Sequence, residues 1–445
     1  MKTYLMNYLV AGLGLLALNL SLRAQSFALS STPGVGKNPV SVVAADVNGD
    51  GKLDLICANY NGSTITVLTN DGTGVMVSNV SYVTPGNPSL VVAADLNGDG
   101  KVDLIGYSPP NLMVWTNNGS GGFTVTSVAA ITVGSFAGVT VADINGDGRP
   151  DLICLNTAGR IMILTNAGNG SFALAPAPPS TVNSRFVVPA DVNGDGLPDL
   201  IDMPLNASYF RVLTNAGNGT FVLAYTNSAN TSWPGVISAA DVNGDGWVDL
   251  IIPSYNSGAG KTVLVLTNDG HGFLSSNAVY AVGTGPVSVV TADVTGDGLG
   301  DLLMKNLDGS VTVFTNNGSG FGSNSTFSAG SFDPGAFNSV VAADVNGDGR
   351  LDLITANYNS PGTLTIWTNT STFLPKLTVR RAGNKVVTSW PSQWTGWAGW
   401  SLAQNTDLHT ANWTAFNGTI GDDGSTKSVT NSLASGNLFY RLAHP

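Results

Sequence analysis

A ten-residue acidic motif recurs seven times at nearly constant spacing, and this repeat constrains the fold more than any other feature. It reads Asp-x-Asn-Gly-Asp-Gly-x-x-Asp-Leu, with Thr295 replacing the Asn in the sixth copy. The copies begin 48 to 52 residues apart, at Asp46, Asp95, Asp143, Asp191, Asp241, Asp293 and Asp344. Seven units of this length occupy roughly residues 25 to 374. A fixed period near 50 residues is typical of a repeat architecture.

Each unit also contains the marks of short strands joined by turns. Alanine precedes the first Asp of every motif, behind an apolar β-branched run such as Val42-Val43. A Thr-Asn pair follows in each unit, with its Asn 22 to 27 residues after that Asp, and a Gly-rich turn comes next. No part of the repeat has a helical period. Four strands per unit, repeated seven times, predict an all-β fold, a seven-bladed β-propeller.

A device that closes the ring is also visible in the sequence. Residues Ser26-Phe27-Ala28-Leu29 match Ser171-Phe172-Ala173-Leu174, which occupy the place of an outermost strand in another unit. We therefore expect the N-terminal strand to complete the last blade. The segment Thr372-Phe373-Leu374 is a competitor for the same position.

The composition excludes several classes of function. All 29 acidic residues are Asp, so a Glu general acid or base is impossible. Charged residues make up only 11% of the chain, against roughly 25% in an ordinary soluble domain, and the formal net charge is −11. This balance argues against a nucleic-acid partner. The three histidines, His271, His409 and His444, show no zinc or catalytic-triad spacing.

The acidic motif has the donor pattern of a calcium loop. Counted over nine positions, it has carboxylates at 1, 5 and 9, an amide at 3, Gly at 4 and 6, and a variable position 7 that suits a backbone carbonyl ligand. The loops contain 21 of the 29 Asp, and so many converging carboxylates would repel one another without a cation. Position 12 is never Glu and the flanks are strands, so the loop is not an EF-hand. Ordinary turn preference for Asp, Asn and Gly is the competing explanation.

The sequence therefore predicts up to seven Ca²⁺ sites, of which the sixth, with Thr295, binds more weakly. Seven ions would bring a chain without residues 1–24, with 16 cations and 29 anions, close to neutrality. The predicted ligands are Asp46, Asn48, Asp50, Asp54, Asp95, Asn97, Asp99, Asp103, Asp143, Asn145, Asp147, Asp151, Asp191, Asn193, Asp195, Asp199, Asp241, Asn243, Asp245, Asp249, Asp293, Thr295, Asp297, Asp301, Asp344, Asn346, Asp348 and Asp352.

These units resemble the FG-GAP repeats, also called VCBS-type repeats, of integrin α-subunit heads and of many bacterial exported proteins. The resemblance covers all seven units and depends on Asp-x-Asn-x-Asp-Gly-x-x-Asp between strands. It implies a seven-bladed propeller with calcium in the hairpin loops and a ligand on the opposite face.

Three regions are predicted along the chain. Residues 1–24 form a signal peptide, with Lys2, an apolar run from Leu9 to Leu20, and cleavage near Ala24. Residues 25–374 form the propeller, and residues 375–445 form a small β-sandwich-like module rich in Trp. No second long apolar run occurs, so no transmembrane segment is expected in the mature chain, and the protein is expected to be secreted, at the cell surface or in the periplasm.

Strand alternation predicts which loops meet a ligand. If the acidic loop joins strands 1 and 2 of each blade, the 2–3 loops lie on the opposite, upper face. Three of them present Tyr followed by Asn, namely Tyr60-Asn61, Tyr255-Asn256 and Tyr358-Asn359. Tyr and Asn together can stack on and hydrogen-bond a sugar or a peptide. A half-buried Tyr in an ordinary turn is the competing explanation.

Together these features predict a secreted, calcium-stabilised binding or adhesion protein whose partner is a glycan or an extracellular protein. The alternative is an extracellular polysaccharide lyase or hydrolase on a propeller scaffold, although no catalytic residue is identified. Cys57 and Cys154 lie at equivalent places in non-adjacent blades, too far apart for a disulfide, so both are expected to be buried thiols. Asp202 and Asp333 lie outside the loops, with no evident partner.

Overall fold

The computed structural model forms short antiparallel strands throughout its described residues. These residues are 26–108, 111–127, 138–155, 158–168, 170–179, 183–205, 207–217, 219–229, 234–318, 320–328, 340–371, 378–382, 385–391, 401–405, 414–415, 419–422, 426–432 and 439–443. The chain separates into two compact units, one of them Ala24–Ser371 and the other including Thr372–Pro445. The predicted signal peptide lies outside the described residues.

In the larger unit, the described residues form seven sheets. Six of them have their strands in sequence order from the axis outwards, and the seventh has N-terminal strands added at its outer edge. Blade 1 consists of β3 (Pro39–Ala45), β4 (Asp54–Asn59), β5 (Thr64–Asn70) and β6 (Met76–Val83), and blade 2 of β7 (Leu90–Ala94), β8 (Asp103–Ser108), β9 (Asn111–Asn117) and β10 (Phe123–Ser127). Blade 3 consists of β11 (Val139–Ala142), β12 (Asp151–Leu155), β13 (Ile161–Asn166) and β14 (Phe172–Leu174), and blade 4 of β15 (Ser184–Ala190), β16 (Asp199–Pro204), β17 (Tyr209–Asn215) and β18 (Phe221–Ser228).

The remaining blades follow the same plan, and one 3₁₀ turn (Asn256–Gly258) occurs within blade 5. Blade 5 consists of β19 (Ser238–Ala240), β20 (Asp249–Ser254), β21 (Thr262–Asn268) and β22 (Leu274–Ala281), and blade 6 of β23 (Pro286–Ala292), β24 (Asp301–Asn306), β25 (Ser310–Asn316) and β26 (Phe321–Ser328). Blade 7 consists of β27 (Val340–Ala343), β28 (Asp352–Asn357) and β29 (Gly362–Asn369), and β1 (Phe27–Ser31) and β2 (Gly34–Val35) pair with β29.

The ring is closed by the N-terminal strand, as the sequence predicts. Phe27 pairs with Asn369 and Leu29 with Trp367, so β1 is the outer strand of blade 7. The matching segment Phe172–Leu174 is the outer strand of blade 3. Each innermost strand contacts the next, and β27 contacts β3, which completes the seven-bladed propeller. The competing segment, residues 372–374, lies outside the described residues.

The core lies between the blades because the second strand of each blade is buried on both sides. In β4, Leu55 and Cys57 pack in a cluster shared with blade 7, whereas Ile56 and Ala58 pack in one shared with blade 2. This alternation gives each blade two apolar faces, as the strand period of two requires. The continuous apolar runs after the acidic motif therefore correspond to central, fully buried strands.

The equivalent of Cys57 in blade 2 is Gly106, and its missing side chain admits a large neighbour. A Cβ atom on Gly106 would lie 2.5 Å from the ring of Trp115, which is almost fully buried. Trp115 thus fills the space that a larger residue fills in other blades. Cys57 and Cys154 are free, buried thiols, as predicted.

Apart from the Asp that begins each second strand, charged side chains are buried at two places in the described strands. Asp202 on β16 and Arg211 on β17 are paired in register and form a buried ion pair, so Asp202 has a partner that the sequence did not reveal. Lys305 on β24 is also fully buried. Burial lowers the pKa of Lys305 to about 8, and Asp308 partly opposes that shift. Asp333 lies outside the described residues.

The C-terminal unit is also built from strands. β30 (Thr378–Ala382), β31 (Lys385–Pro391), β35 (Thr426–Ser432) and β34 (Gly421–Asp422) form one antiparallel sheet, and β33 (Thr414–Ala415), β32 (Ser401–Asn405) and β36 (Phe439–Ala443) form another. Among the described residues of the whole chain, no helix has the length and apolar character needed to cross a membrane.

Candidate functional site

The seven acidic loops lie together at one end of the ring. Each loop joins the first and second strands of its blade. The acidic loops therefore form the lower face together with the turns between the third and fourth strands, here called the 3–4 turns. In all seven loops the position-1 carboxylate accepts hydrogen bonds of 2.7–2.9 Å from the N–H groups of positions 4 and 6. Both positions are Gly with positive φ, such as Gly49 and Gly51. Gly is needed there because other side chains rarely adopt that backbone conformation.

The polar side chains at positions 3 and 5 complete the turn. The position-5 carboxylate accepts the position-7 N–H in every loop, as Asp50 does from Lys52 at 3.0 Å. In six loops the Asn amide oxygen at position 3 accepts the position-5 N–H at 2.9 Å. In the sixth loop Thr295 instead donates its hydroxyl to Asp293 at 3.3 Å. The sixth loop thus lacks a carbonyl oxygen that the others have.

The position-9 carboxylate is fully buried in every loop, as in Asp54 and Asp301. Burial is the largest cause that raises the pKa of each position-9 carboxyl, which reaches about 6 in Asp199 and Asp352 and about 7 in Asp301. Two backbone N–H donors oppose the rise in pKa, and the carboxylates at positions 5 and 1 of the same loop add to it. Each loop therefore gathers mutually repelling carboxylates around a desolvated one.

The donor chemistry of these loops fits a hard divalent cation. The described part of the chain contains no group of three or more Asp, Glu, His or Cys side chains already placed to hold a metal ion, and the loop carboxylates bond to N–H groups of their own loop. A carboxylate oxygen that accepts one N–H keeps a second lone pair for an ion. All the side-chain oxygens at positions 1, 3, 5 and 9 are of the kind that calcium prefers as ligands, and a divalent charge would offset the mutual repulsion of the loop carboxylates.

The Asn of each Thr-Asn pair links its blade to the preceding one, a role that the sequence did not reveal. In all seven blades its Nδ2 donates to the position-2 carbonyl of the preceding acidic loop at 2.5–2.9 Å, and to the position-8 carbonyl of its own loop. Its backbone N–H donates to the position-9 carboxylate of its own blade. These asparagines are Asn70, Asn117, Asn166, Asn215, Asn268, Asn316 and Asn369.

These bonds form one continuous ring under the propeller. The position-9 carboxylate of each loop also accepts the position-2 N–H, so position 2 connects its own Asp to the Asn of the next blade. The bond from Asn70 in blade 1 to Val345 in blade 7 closes the circle. The Thr-Asn pair recurs at the same place in every unit, and this recurrence was the sequence signal for a shared role. The partners of the Asn become visible only when neighbouring blades are placed beside each other.

Position 7 varies in residue type, yet several of its side chains share one location. The side chains of Lys52, Lys101, Arg149 and Trp247 each pack over the Gly of the 3–4 turn in the same blade, where a Cβ would clash with them. Lys52 also donates to the Asp71 carbonyl at 2.6 Å. Position 7 thus contributes a side-chain cover to the lower face.

The three Tyr-Asn pairs that were predicted to contact a glycan or protein ligand lie on the upper face, and two of them are joined there by hydrogen bonds. Asn38 donates its N–H to the Asn359 carbonyl at 2.9 Å, and its own carbonyl accepts the Tyr60 N–H at 2.9 Å. The Asn61 amide donates to the Asn38 side chain at 3.1 Å. Tyr60 and Tyr358 are half-buried against the same apolar cluster. Asn38, with φ 55°, was not identified from the sequence.

The third pair, Tyr255-Asn256, lies apart from these in blade 5. The guanidinium of Arg185, from blade 4, lies 5.8 Å from the centroid of the Tyr255 ring. Asn256 is exposed and donates to Ser254 at 2.9 Å. The upper face therefore presents two separate polar and aromatic regions, one between blades 7 and 1 and one between blades 4 and 5.

Similar solved structures share the propeller fold. One is a lectin from Agrocybe aegerita described as specifically recognising non-reducing terminal N-acetylglucosamine, with 20% identity, a TM-score of 0.53, and coverage of 75% of this chain and 86% of that one. Another is BBS1N in complex with ARL6DN, with 14% identity, a TM-score of 0.55, and coverage of 79% and 99%. At such identities the likeness shows the fold alone. No curated protein matches this chain in sequence.

The repeat itself matches a known family. The model of the FG-GAP-like repeat matches residues 46–106, 95–154, 143–201, 205–252 and 293–355, which together cover more than half of the chain. These segments contain all seven acidic motifs in full. With the observed seven-bladed propeller, they establish that the chain belongs to the family of FG-GAP-like repeat proteins.

Proposed function

We propose that this protein is a secreted, calcium-stabilised binding module whose upper face holds a glycan. The observation that carries the proposal is that the two faces of the propeller are built from different kinds of loop. One face repeats a single acidic loop seven times, whereas the other presents Tyr and Asn in loops that differ from blade to blade. A repeated, internally bonded face suits a structural role, and variable loops on a rigid scaffold suit recognition.

On the lower face, the oxygens at positions 1, 3, 5 and 9 of each loop would hold the ion. Bound calcium would supply a positive charge beside the buried position-9 carboxylate and stabilise the folded chain by mass action. Extracellular modules with dissociation constants near 10⁻⁴–10⁻³ M fit the calcium concentrations outside cells. The loop in blade 6, with Thr295, would bind most weakly.

On the upper face, the joined loops of blades 7 and 1 are the first candidate for ligand contact. Tyr60 and Tyr358 are each partly exposed, and Asn61 is exposed beside Tyr60. Such rings can stack on the apolar face of a sugar while amides bond its hydroxyl groups. One similar structure is a lectin described as recognising a sugar, which supports a glycan as the proposed ligand, and another is a protein complex.

Replacing Tyr60 and Tyr358 together by Ala tests this assignment. A screen of immobilised glycans in calcium buffer first identifies those that retain the natural protein, and the double variant should then lose retention. Phe273→Ala is the control, because it removes an aromatic ring that is 47% exposed on the lower face. Unchanged retention of the double variant would remove this site, and a screen without any retained glycan would overturn the glycan-binding function itself.

A further inference from the structure

The charges of the propeller are divided between its two faces. The lower face contains the 21 Asp of the loops together with Asp71 and Asp269 of the 3–4 turns. On the upper face, the described residues include the exposed Lys37, Arg160 and Lys261, the half-exposed Arg185 and a single acid, Asp308. Asp308 lies close enough to the buried Lys305 to affect its pKa. Among these described residues, the upper face therefore has more basic than acidic side chains, on a protein that is acidic as a whole.

Three of these cations lie on adjoining segments of blades 3, 4 and 5, and we call Arg160, Arg185 and Lys261 the basic arc. Arg160 follows Gly159, whose carbonyl accepts the N–H of Ser184 at 2.7 Å, and Arg185 is the next residue. The Arg185 guanidinium packs on the Tyr255 ring. The Tyr255 carbonyl in turn accepts the N–H of Gly260, the residue before Lys261, at 3.0 Å. These contacts connect the segments that contain the three cations from one blade to the next.

The segments around the basic arc contain no acidic residue. The sequence between β12 and β13, between β14 and β15, between β16 and β17, between β18 and β19, and between β20 and β21 includes no Asp or Glu. Arg160 and Lys261 lie in these segments and Arg185 is the second residue of β15, so the charge of the three side chains is not offset by an acid in the same segments. The same segments are rich in Asn, Ser, Thr and Gly, which suit hydroxyl-rich ligands.

We propose that the glycan bound by the upper face is anionic, and that the basic arc binds its carboxylate or sulfate groups. This inference rests on the proposed glycan-binding function. Arg forms planar, bidentate, charge-assisted bonds with carboxylates and sulfates, and Arg185 is oriented by its contact with Tyr255. Asn256 is exposed next to Tyr255. A neutral sugar would leave the three cations without a role in binding.

The test compares three soluble probes by isothermal titration calorimetry in calcium buffer. They are an oligogalacturonate, a neutral chito-oligosaccharide of equal length, and poly-aspartate of equal charge. We expect the oligogalacturonate to bind best, and its affinity to fall at least tenfold when the salt concentration rises from about 50 mM to about 500 mM. The variant Arg160→Gln with Lys261→Gln should lose about tenfold or more in affinity at low salt.

The control variant, Arg380→Gln with Lys385→Gln, makes the same change of charge in β30 and β31 of the C-terminal unit and should keep full affinity. Binding of the neutral sugar alone, or binding that does not depend on salt, would overturn the anionic assignment while leaving the glycan-binding function intact. Equal affinity for poly-aspartate would overturn the choice of a glycan. Arg185→Gln provides a second variant, and retention of full affinity in both would exclude the basic arc.

Discussion

At the residue scale, two side chains in each unit connect the acidic loop to its surroundings. The buried position-9 Asp accepts N–H groups from its own loop and from the Asn of the Thr-Asn pair, and that Asn reaches the preceding loop. Removing one partner of such a buried hydrogen bond is costly, because the other partner is left buried without a hydrogen bond. The lower face is therefore stabilised by bonds that also join the blades.

Asn166→Ala should lower the free energy of unfolding by about 2–4 kcal/mol, because it leaves the carbonyls of Leu96 and Pro150 without their donor. Chemical denaturation in calcium buffer measures the effect. Asn61→Ala is the matched control, since Asn61 is exposed and its side chain bonds across the surface to Asn38. Equal unfolding midpoints for Asn166→Ala and the natural chain would show that the ring of bonds adds nothing to stability.

Lys305 gives a pH dependence with a defined sign. Its pKa in the folded protein is lowered to about 8 from 10.5, so between these pH values the unfolded chain binds a proton that the folded chain does not. The free energy of unfolding should therefore rise with pH across this window, by up to about 3 kcal/mol from this group. Below pH 8 the charged, buried Lys is a cost to stability.

Lys305→Met should remove that rise and should be more stable than the natural chain near pH 7. Urea unfolding midpoints of both proteins, measured at several pH values from 7 to 10.5, give the two slopes. Comparing the two chains cancels the titration of other groups. Parallel slopes would mean that Lys305 keeps its ordinary pKa in the folded protein.

Several residue-scale features could be predicted from the sequence and others could not. The glycines at positions 4 and 6 follow from local turn geometry, and the burial of Cys57 follows from the apolar run that contains it. The partners of Asn166 and the pairing of Asp202 with Arg211 depend on which strands face each other. The connection of Tyr60 to Asn359 through Asn38 requires the last blade to meet the first.

At the element scale, β1 is the strand on which closure depends. It is distant in sequence from the rest of blade 7, yet it covers the outer edge of β29. Phe27 packs edge-on against Phe327 of blade 6, with 5.2 Å between the ring centroids. The strand β1 therefore also contributes to the core between blades 6 and 7. An uncovered β29 would present an open strand edge, which favours aggregation.

A chain that begins at Thr32 should therefore be less stable than one that begins at Gln25, by about 3 kcal/mol or more from lost strand pairing and the exposure of Phe27's contacts. Thermal unfolding and light scattering compare the two chains. Addition of a peptide with residues 25–31 should restore part of the lost stability. Identical melting temperatures would show that another segment takes the place of β1.

The repeat made this element predictable, because Ser26–Leu29 has the same letters as an outer strand elsewhere in the chain. The strands on either side of each acidic loop were equally accessible, since the loop fixes their ends. By contrast, the 3₁₀ turn Asn256–Gly258 and its packing near Arg185 have no periodic signal. Loops that occur once are the part that single-sequence patterns describe least.

At the scale of the whole molecule, the ring separates two kinds of chemistry. One face collects carboxylates whose mutual repulsion a divalent cation would relieve, and the other collects aromatic, amide and basic side chains. Closed radial packing keeps the two faces apart, because every blade contributes one acidic loop below and one variable loop above. Neutralising the lower face would also prevent its charge from repelling an anionic ligand above.

Thermal unfolding of the purified protein across a calcium titration tests this account most directly. A site filled tenfold over its dissociation constant adds about 1.4 kcal/mol to the free energy of unfolding, so several sites together should raise the melting temperature by many degrees relative to EGTA. Paired Asp46→Asn and Asp50→Asn substitutions in the first loop should remove part of that rise. A melting temperature that is the same in calcium and in EGTA would contradict the proposal that the acidic loops bind calcium to stabilise the ring.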